Sequence, residues 1–141
     1  MAAFSGTHPI VEFVVPGRPI SAQAKNSTLK KDWQDDVAAA ASAAFGSAPP
    51  EPGALAVVIA YYEPGKWQLD LDNMAKPILD AMTGIVWKDD KQLTDVYCAR
   101  RNLGGAYIVQ GMSSVLAPAF VHGSQFVHIR VVTPPDLQVL L

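Results

Sequence analysis

Cysteine is almost absent from this chain of 141 residues. Cys98 is the only one, so no internal disulfide can form, and a reducing, cytosolic setting fits. Charge is also scarce. Charged residues make up 17%, too few for a chain kept disordered by its charge. No apolar run is long enough to span a bilayer, so no membrane partner is expected. The start, Met1-Ala2-Ala3-Phe4-Ser5-Gly6-Thr7, lacks a basic stretch followed by an apolar one, and a signal peptide is not expected. There is no internal repeat and no low-complexity segment. His8, His122 and His128 show no metal-ligand spacing with Cys98 or with one another, which argues against a zinc centre. A Gly-x-Ser-x-Gly elbow, a phosphate-binding glycine loop and a dinucleotide fingerprint are all missing. Ser113-Ser114 beside Gly111 therefore reads as a loop or cap rather than a nucleophile.

What is present suits one compact domain over residues 1–141, with residues 1–8 and 134–141 as peripheral tails. Half of the residues are apolar, but many are alanine, which predicts a shallow core. The net charge is −2 and the pI about 5.8. Nucleic-acid binders usually show a basic balance. The distribution softens that objection, because five of the 13 acids, Asp70, Asp72, Asp80, Asp89 and Asp90, lie in one stretch. The other eight face 11 Lys and Arg and leave +3 for the rest of the chain.

Residues 10–15, rich in β-branched side chains, predict a strand that Pro16-Gly17 ends. A polar loop from Arg18 to Thr28 follows. A helix is expected from about Lys30 to Phe45, where Trp33, Val37, Ala40 or Ala41, and Ala44 recur at helical spacing and Gly46 supplies a C-cap. Ala48 to Gly53 is a Pro-rich linker. A second strand covers about Ala54 to Tyr62. A second helix covers about Asn73 to Met82, capped by Asp72 or Asn73, with Ala75, Ile78, Leu79 and Met82 inward and Pro77 near the end of its first turn. Ile85-Val86-Trp87 is a short apolar piece, with Trp87 read as core. A third strand covers roughly Leu93 to Asn102. Ser113 or Ser114 starts a short helix through Val121 despite Pro118, and Gln125 to Val132 is the last strand. The order β-α-β-α-β-(short α)-β predicts an α+β fold with one mixed sheet and helices packed on it.

The informative segment is Asp70-Leu71-Asp72-Asn73-Met74-Ala75-Lys76-Pro77-Ile78-Leu79-Asp80, followed by Asp89-Asp90. In an extended stretch residues i and i+2 point the same way, so Asp70 and Asp72 are expected on one face just before the helix. Two carboxylates about 4 Å apart repel by roughly 1 kcal/mol in water and by more near a protein surface. A cation relieves that, and hard oxygen ligands select Mg2+ or Mn2+. Asp89 and Asp90 follow the helix, and one of them can complete the site. Asp72, Asn73, Lys76 and Asp80 share a helix side, which puts Lys76 one turn from the carboxylates, where it can stabilise charge on a phosphoryl group or orient the attacking water. Each residue alone has a plainer explanation: Asp72 as a cap, Lys76–Asp80 as an ion pair, Asp89-Asp90 as a solvated turn. Simple capping does not explain Asp70 or the paired Asp89-Asp90.

The run Asp70-Leu71-Asp72-Asn73, with Lys76, Asp80 and Asp89-Asp90 behind it, resembles the RusA family of crossover-junction endodeoxyribonucleases. The resemblance is close over about residues 68–97, and Val15-Pro16-Gly17-Arg18-Pro19 is similar to the family's first turn. It implies a Mg2+-dependent homodimer that cuts Holliday junctions in recombination and repair, working in the cytoplasm at the nucleoid. It also implies Asp70, Asp72 and Asp90 as metal ligands and Lys76 as the catalytic lysine, with Asn73, Asp80 and Asp89 in support. The chain departs from relatives that carry basic residues just before the motif, since Gly65-Lys66-Trp67-Gln68-Leu69 has one lysine, and its 104–124 segment is long.

Arg18, Lys25, Lys66, Arg100 and Arg101 are candidate DNA contacts, although a polar loop and an exposed strand end account for them equally well. Trp67 is a candidate for stacking on a base. Two rivals stand beside junction cleavage: a less selective metal nuclease acting on branched or single-stranded DNA, and a non-catalytic DNA-binding module whose acids are structural.

Overall fold

A computed structural model describes residues 8–65, 69–104 and 112–136. Residues 1–7 and 137–141 of the two expected tails lie outside the described residues, as do Lys66, Trp67 and residues 105–111 of the 104–124 segment.

The described chain runs β1 (Val11–Pro16), α1 (Ser27–Phe45), β2 (Leu55–Glu63), α2 (Leu71–Met82), β3 (Leu93–Asn102), α3 (Leu116–His122) and β4 (Phe126–Val132), with a single 3-10 turn at Asp90–Gln92. The strands form one sheet in the order β1-β4-β2-β3. β4 is antiparallel to both β1 and β2, while β2 and β3 are parallel. Parallel neighbours need a crossover, and α2 supplies it. This is the expected α+β class with one mixed sheet.

Alternation sorts the strand residues by face. Val11, Phe13 and Val15 of β1, Val57, Ile59 and Tyr61 of β2, and Val127, Ile129 and Val131 of β4 share a core with Trp33, Val37 and Ala41 of α1 and Met74, Ile78 and Met82 of α2. β2 is central and buried on both faces from Leu55 to Ile59, so it reads as a continuous apolar run rather than an alternation.

α1 starts three residues earlier than expected. The Asn26 side chain accepts from the Leu29 amide at 3.1 Å and caps the helix, so Ser27 and Thr28 leave the loop and join its first turn. Gly46 does cap the other end, with φ 76° and its amide donating to the Ser42 carbonyl. Ala44 is exposed rather than inward, because the buried stripe is narrow and ends at Ala41. α3 starts at Leu116 with Val115 in the cap position, so neither Ser113 nor Ser114 is the cap; the Ser113 hydroxyl, two residues before Val115, accepts from the Leu116 amide at 3.1 Å and steadies the first turn. Pro118 is its third residue, where no intrahelical donor is lost.

α2 also starts early, at Leu71, with Asp70 in the cap position and extended backbone. Neither Asp72 nor Asn73 is the cap; both are helical. Pro77 consequently lies past the first turn and cannot donate to the Asn73 carbonyl four residues back. The Ala22 amide takes that place at 2.8 Å, and the Gln34 side chain donates to the Pro77 carbonyl at 3.1 Å. A missing hydrogen bond in α2 thus becomes a tether. It holds the loop that carries Arg18 and Lys25 against the N-terminal half of the helix.

Candidate metal and nucleic-acid site

α2 buries Met74, Ala75, Ile78 and Met82 and turns its other side outward, with Asp72, Lys76 and Asp80 exposed. The chain then closes tightly. Val86 and Trp87 are fully buried, and the Trp87 indole donates to the Thr83 hydroxyl at 3.0 Å. This anchors the approach to the Asp89-Asp90 turn, which leads straight into β3.

Asp89 and Asp90 differ sharply in what surrounds them. The Asp89 side chain accepts from the Lys91 amide at 2.9 Å, as the N-cap of the 3-10 turn. That amide holds the Asp89 carboxyl below its ordinary value. Asp90 is the first residue of the turn and lines an open recess of about 560 Å³ between α2 and the outer edge of β3. Asp72, Lys76 and Asp80 line the same recess, with Leu71, Leu79, Val96 and Cys98 as its apolar floor. Lys76 reaches Asp80 at 3.4 Å, both largely exposed. Asn73, half-buried, is fixed through its backbone rather than by lining the recess.

Asp70 is set apart. Because the helix begins at Leu71, Asp70 and Asp72 are not neighbours on one face of an extended stretch. Asp70 instead lines an adjoining recess of about 370 Å³ with Leu69, Leu71 and Arg100. Leu71 belongs to both walls. Among the described residues no three His, Cys, Asp or Glu side chains converge closely enough to hold a metal by themselves. No described Lys, Arg or His forms an ion pair with Asp70, Asp72 or Asp90.

The donors fit a hard cation. Mg2+ is usually held by one or two carboxylates, the remaining positions going to water and substrate phosphates. Asp72 and Asp90 supply such a pair. The one soft donor in the recess, Cys98, keeps its proton: burial, and then Asp72, push its thiol up to about 11. A thiolate-loving metal would have to displace that proton.

The basic candidates are spread around this side. The Arg100 guanidinium donates to the Leu69 carbonyl at 3.3 Å and so closes the Asp70 recess. Arg101, exposed on the next position of β3, donates to the Arg100 carbonyl. Arg18 and Lys25 are exposed in the loop tethered to α2. No helix of the described residues is long and apolar enough to cross a membrane.

A family model described as endodeoxyribonuclease RusA matches residues 16–109, two thirds of the chain. The chain belongs to the RusA family of endodeoxyribonucleases. No curated protein matches it significantly. The RusA match begins at the last residue of β1 and takes in both recesses and all of β3.

Sequence reasoning passed over one residue of this RusA-family site. Gln92 makes hydrogen bonds to four backbone groups around the Asp89-Asp90 turn. The signal was available, since Asp89-x-x-Gln92 has the acceptor and amide spacing of a capping box, and the structure forms that box.

Proposed function

We propose that the chain is a Mg2+-dependent endonuclease that resolves four-way DNA junctions, acting as a homodimer in recombination and repair at the nucleoid. Residues 1–141 form its single nuclease domain. The observation that carries this reading is the shared recess. Asp72, Asp90 and Lys76 line it together, with neither acid ion-paired, in a chain of an endodeoxyribonuclease family.

In this reading Asp72 and Asp90 bind the cation, and Asp70 completes the ligand set from the adjoining recess. When bound, the cation supplies an acidified water and offsets charge on the phosphoryl oxygens. Lys76 places a positive charge beside the reacting phosphate, and Asp80 orients Lys76. Mn2+ offers the same hard coordination and is expected to substitute for Mg2+. Arg18, Lys25, Lys66, Arg100 and Arg101 contact phosphates, which position the DNA without reading its sequence. Two copies suit a junction that must be cut on two strands symmetrically.

The test is cleavage of a four-way junction by the purified protein with Mg2+, beside linear duplex, fork and single-stranded DNA at fixed salt. Junction-selective cleavage that Asp70→Asn abolishes is the expected result. Equal rates on junction and linear duplex would replace junction resolution with the less selective nuclease. Binding that ignores Mg2+, with no cleavage of any substrate, would leave only a DNA-binding module.

A further inference from the structure

The Gln92 amide uses its full hydrogen-bonding capacity. Its Oε1 accepts from the Lys88 amide at 3.0 Å and from the Asp89 amide at 3.1 Å. Its Nε2 donates to the Glu51 carbonyl at 2.7 Å and to the Gly53 carbonyl at 2.8 Å. Turning the amide over would set donor against donor and acceptor against acceptor at all four contacts, so its orientation is fixed by its partners. One side chain therefore joins two segments: the turn that contains Asp90 and the linker that feeds β2.

That linker is a stiff support. Pro49, Pro50 and Pro52 restrict its backbone. The Glu51 amide is itself anchored on the Val86 carbonyl at 2.7 Å. On the other side of Gln92, β3 begins at Leu93. Asp90 thus lies between the capping residue, Asp89, and a side chain clamped to a proline-stiffened strut. Its own carboxylate is exposed and lines the recess.

We propose that Gln92 is a positioning residue for Asp90, holding the turn so that the Asp90 carboxylate meets the cation beside Asp72. This rests on the reading of Asp90 as a metal ligand. Outer partners that orient ligands typically contribute about 10–100-fold to metal affinity. Gln92 touches neither metal nor DNA in this scheme, and its whole effect passes through Asp90.

Mn2+ binding to the full chain, followed by loss of the free-ion electron paramagnetic resonance signal, tests this without any cleavage assay. The proteins are wild type, Gln92→Ala, Asp90→Asn and the double variant, each below its unfolding transition. Gln92→Ala is expected to weaken Mn2+ binding by about tenfold in the wild-type background. In the Asp90→Asn background it is expected to add nothing, because the residue through which it acts is gone. Unchanged Mn2+ affinity in Gln92→Ala, or the same loss in both backgrounds, overturns the proposal. A side chain that merely braces the fold would lower the melting temperature and leave Mn2+ affinity alone. Gln92→Met keeps the length of the side chain without its hydrogen bonds and carries the same test should Gln92→Ala fail to fold. Wild type that binds no Mn2+, or binding indifferent to Asp90→Asn, would sink the metal reading itself.

Discussion

Glu12 and the pair Asp72 and Asp90 are carboxylates on opposite faces of one sheet. The Glu12 side chain, 10% exposed, accepts from the Ser113 hydroxyl and from His128 Nε2, each at 2.6 Å. Burial pushes its carboxyl up, but those two hydrogen bonds and the positive charge nearby outweigh burial and hold it below its ordinary value. Burial pulls His128 down, against the pull of Glu12. A neutral His128 must then carry its proton on Nε2, since an ionised carboxylate only accepts. Ser113 also accepts from the Leu116 amide in the first turn of α3, so the cluster fastens that helix to β1 and β4. Although serine, histidine and an acid meet here, serine and histidine both bind the same Glu12 oxygen, and no nucleophile–base contact results. Asp72 and Asp90, by contrast, are exposed, have no basic partner among the described residues and share a recess. The saturated acid serves the fold; the two without a basic partner have coordination left over for a ligand.

Exchanging the two kinds of acid tests that distinction most severely. Asp72→Asn or Asp90→Asn is expected to cut Mg2+-dependent cleavage by at least about 100-fold. The melting temperature should move by less than about 2 °C, as befits an exposed site. Glu12→Leu should do the reverse. It orphans the buried His128 donor, at a cost of about 1–3 kcal/mol, and lowers the melting temperature by roughly 3–10 °C. Its cleavage rate per folded molecule at 20 °C should match wild type. A junction-cleavage assay paired with thermal denaturation reads both quantities. Loss of activity in folded Glu12→Leu would erase the contrast.

The same contrast explains what was legible in the sequence. Strand alternation, the helical spacing of Trp33 and Val37 ahead of Gly46, and the α2 apolar stripe are local patterns, and they led to the α+β sheet. The spacing of Asp72, Lys76 and Asp80 on one helix is also local, and the three do line one recess. An extended run through residues 70–72 puts Asp70 on one face with Asp72, but the helix starts at Leu71, and Asp70, in its cap position, lines the adjoining recess. The Asn73 carbonyl, freed by Pro77 and met by Ala22, is a partnership across 51 positions that no window contains. Glu12, His128 and Ser113 are likewise far apart in sequence, and each alone looks like an ordinary strand or loop residue. Gln92 was overlooked because its partners are backbone atoms, which have no sequence signature of their own.

A smaller effect separates the two regions by pH. His128 has a folded-state value below its ordinary 6.5, so between the two values the unfolded chain binds more protons and stability rises with pH. Stability is therefore full above about 6.5 and declines as the pH falls below it. Glu12 is also lowered, from 4.5, so its contribution is present above 4.5 and is lost on further acidification. The charged groups acting on His128 are Glu12 from β1 and Arg130 from β4. His128→Gln keeps a neutral donor toward Glu12 without the titration. Its melting temperature should stay flatter than wild type from pH 7 to pH 5, both measured in the same buffers. A wild-type curve that rises on acidification would have the wrong sign.

The smallest effect is expected at the intermediate case, Asp80. Its carboxylate lines the recess like Asp72 and Asp90, yet it has a partner, Lys76, at 3.4 Å. That pair is exposed and spaced i,i+4, so it contributes no more than about 1 kcal/mol to stability. If Asp80 only steadies Lys76, Asp80→Asn leaves Lys76 charged and within reach of a phosphate. Cleavage should then fall less than about fivefold, since a lost surface pair of up to 1 kcal/mol corresponds to roughly that factor. Mn2+ affinity should not change. A loss comparable to that of Asp90→Asn, with weaker Mn2+ binding, would move Asp80 from the paired acids to the metal-binding ones. The division drawn from ion pairing would then fail at the residue where the two classes touch.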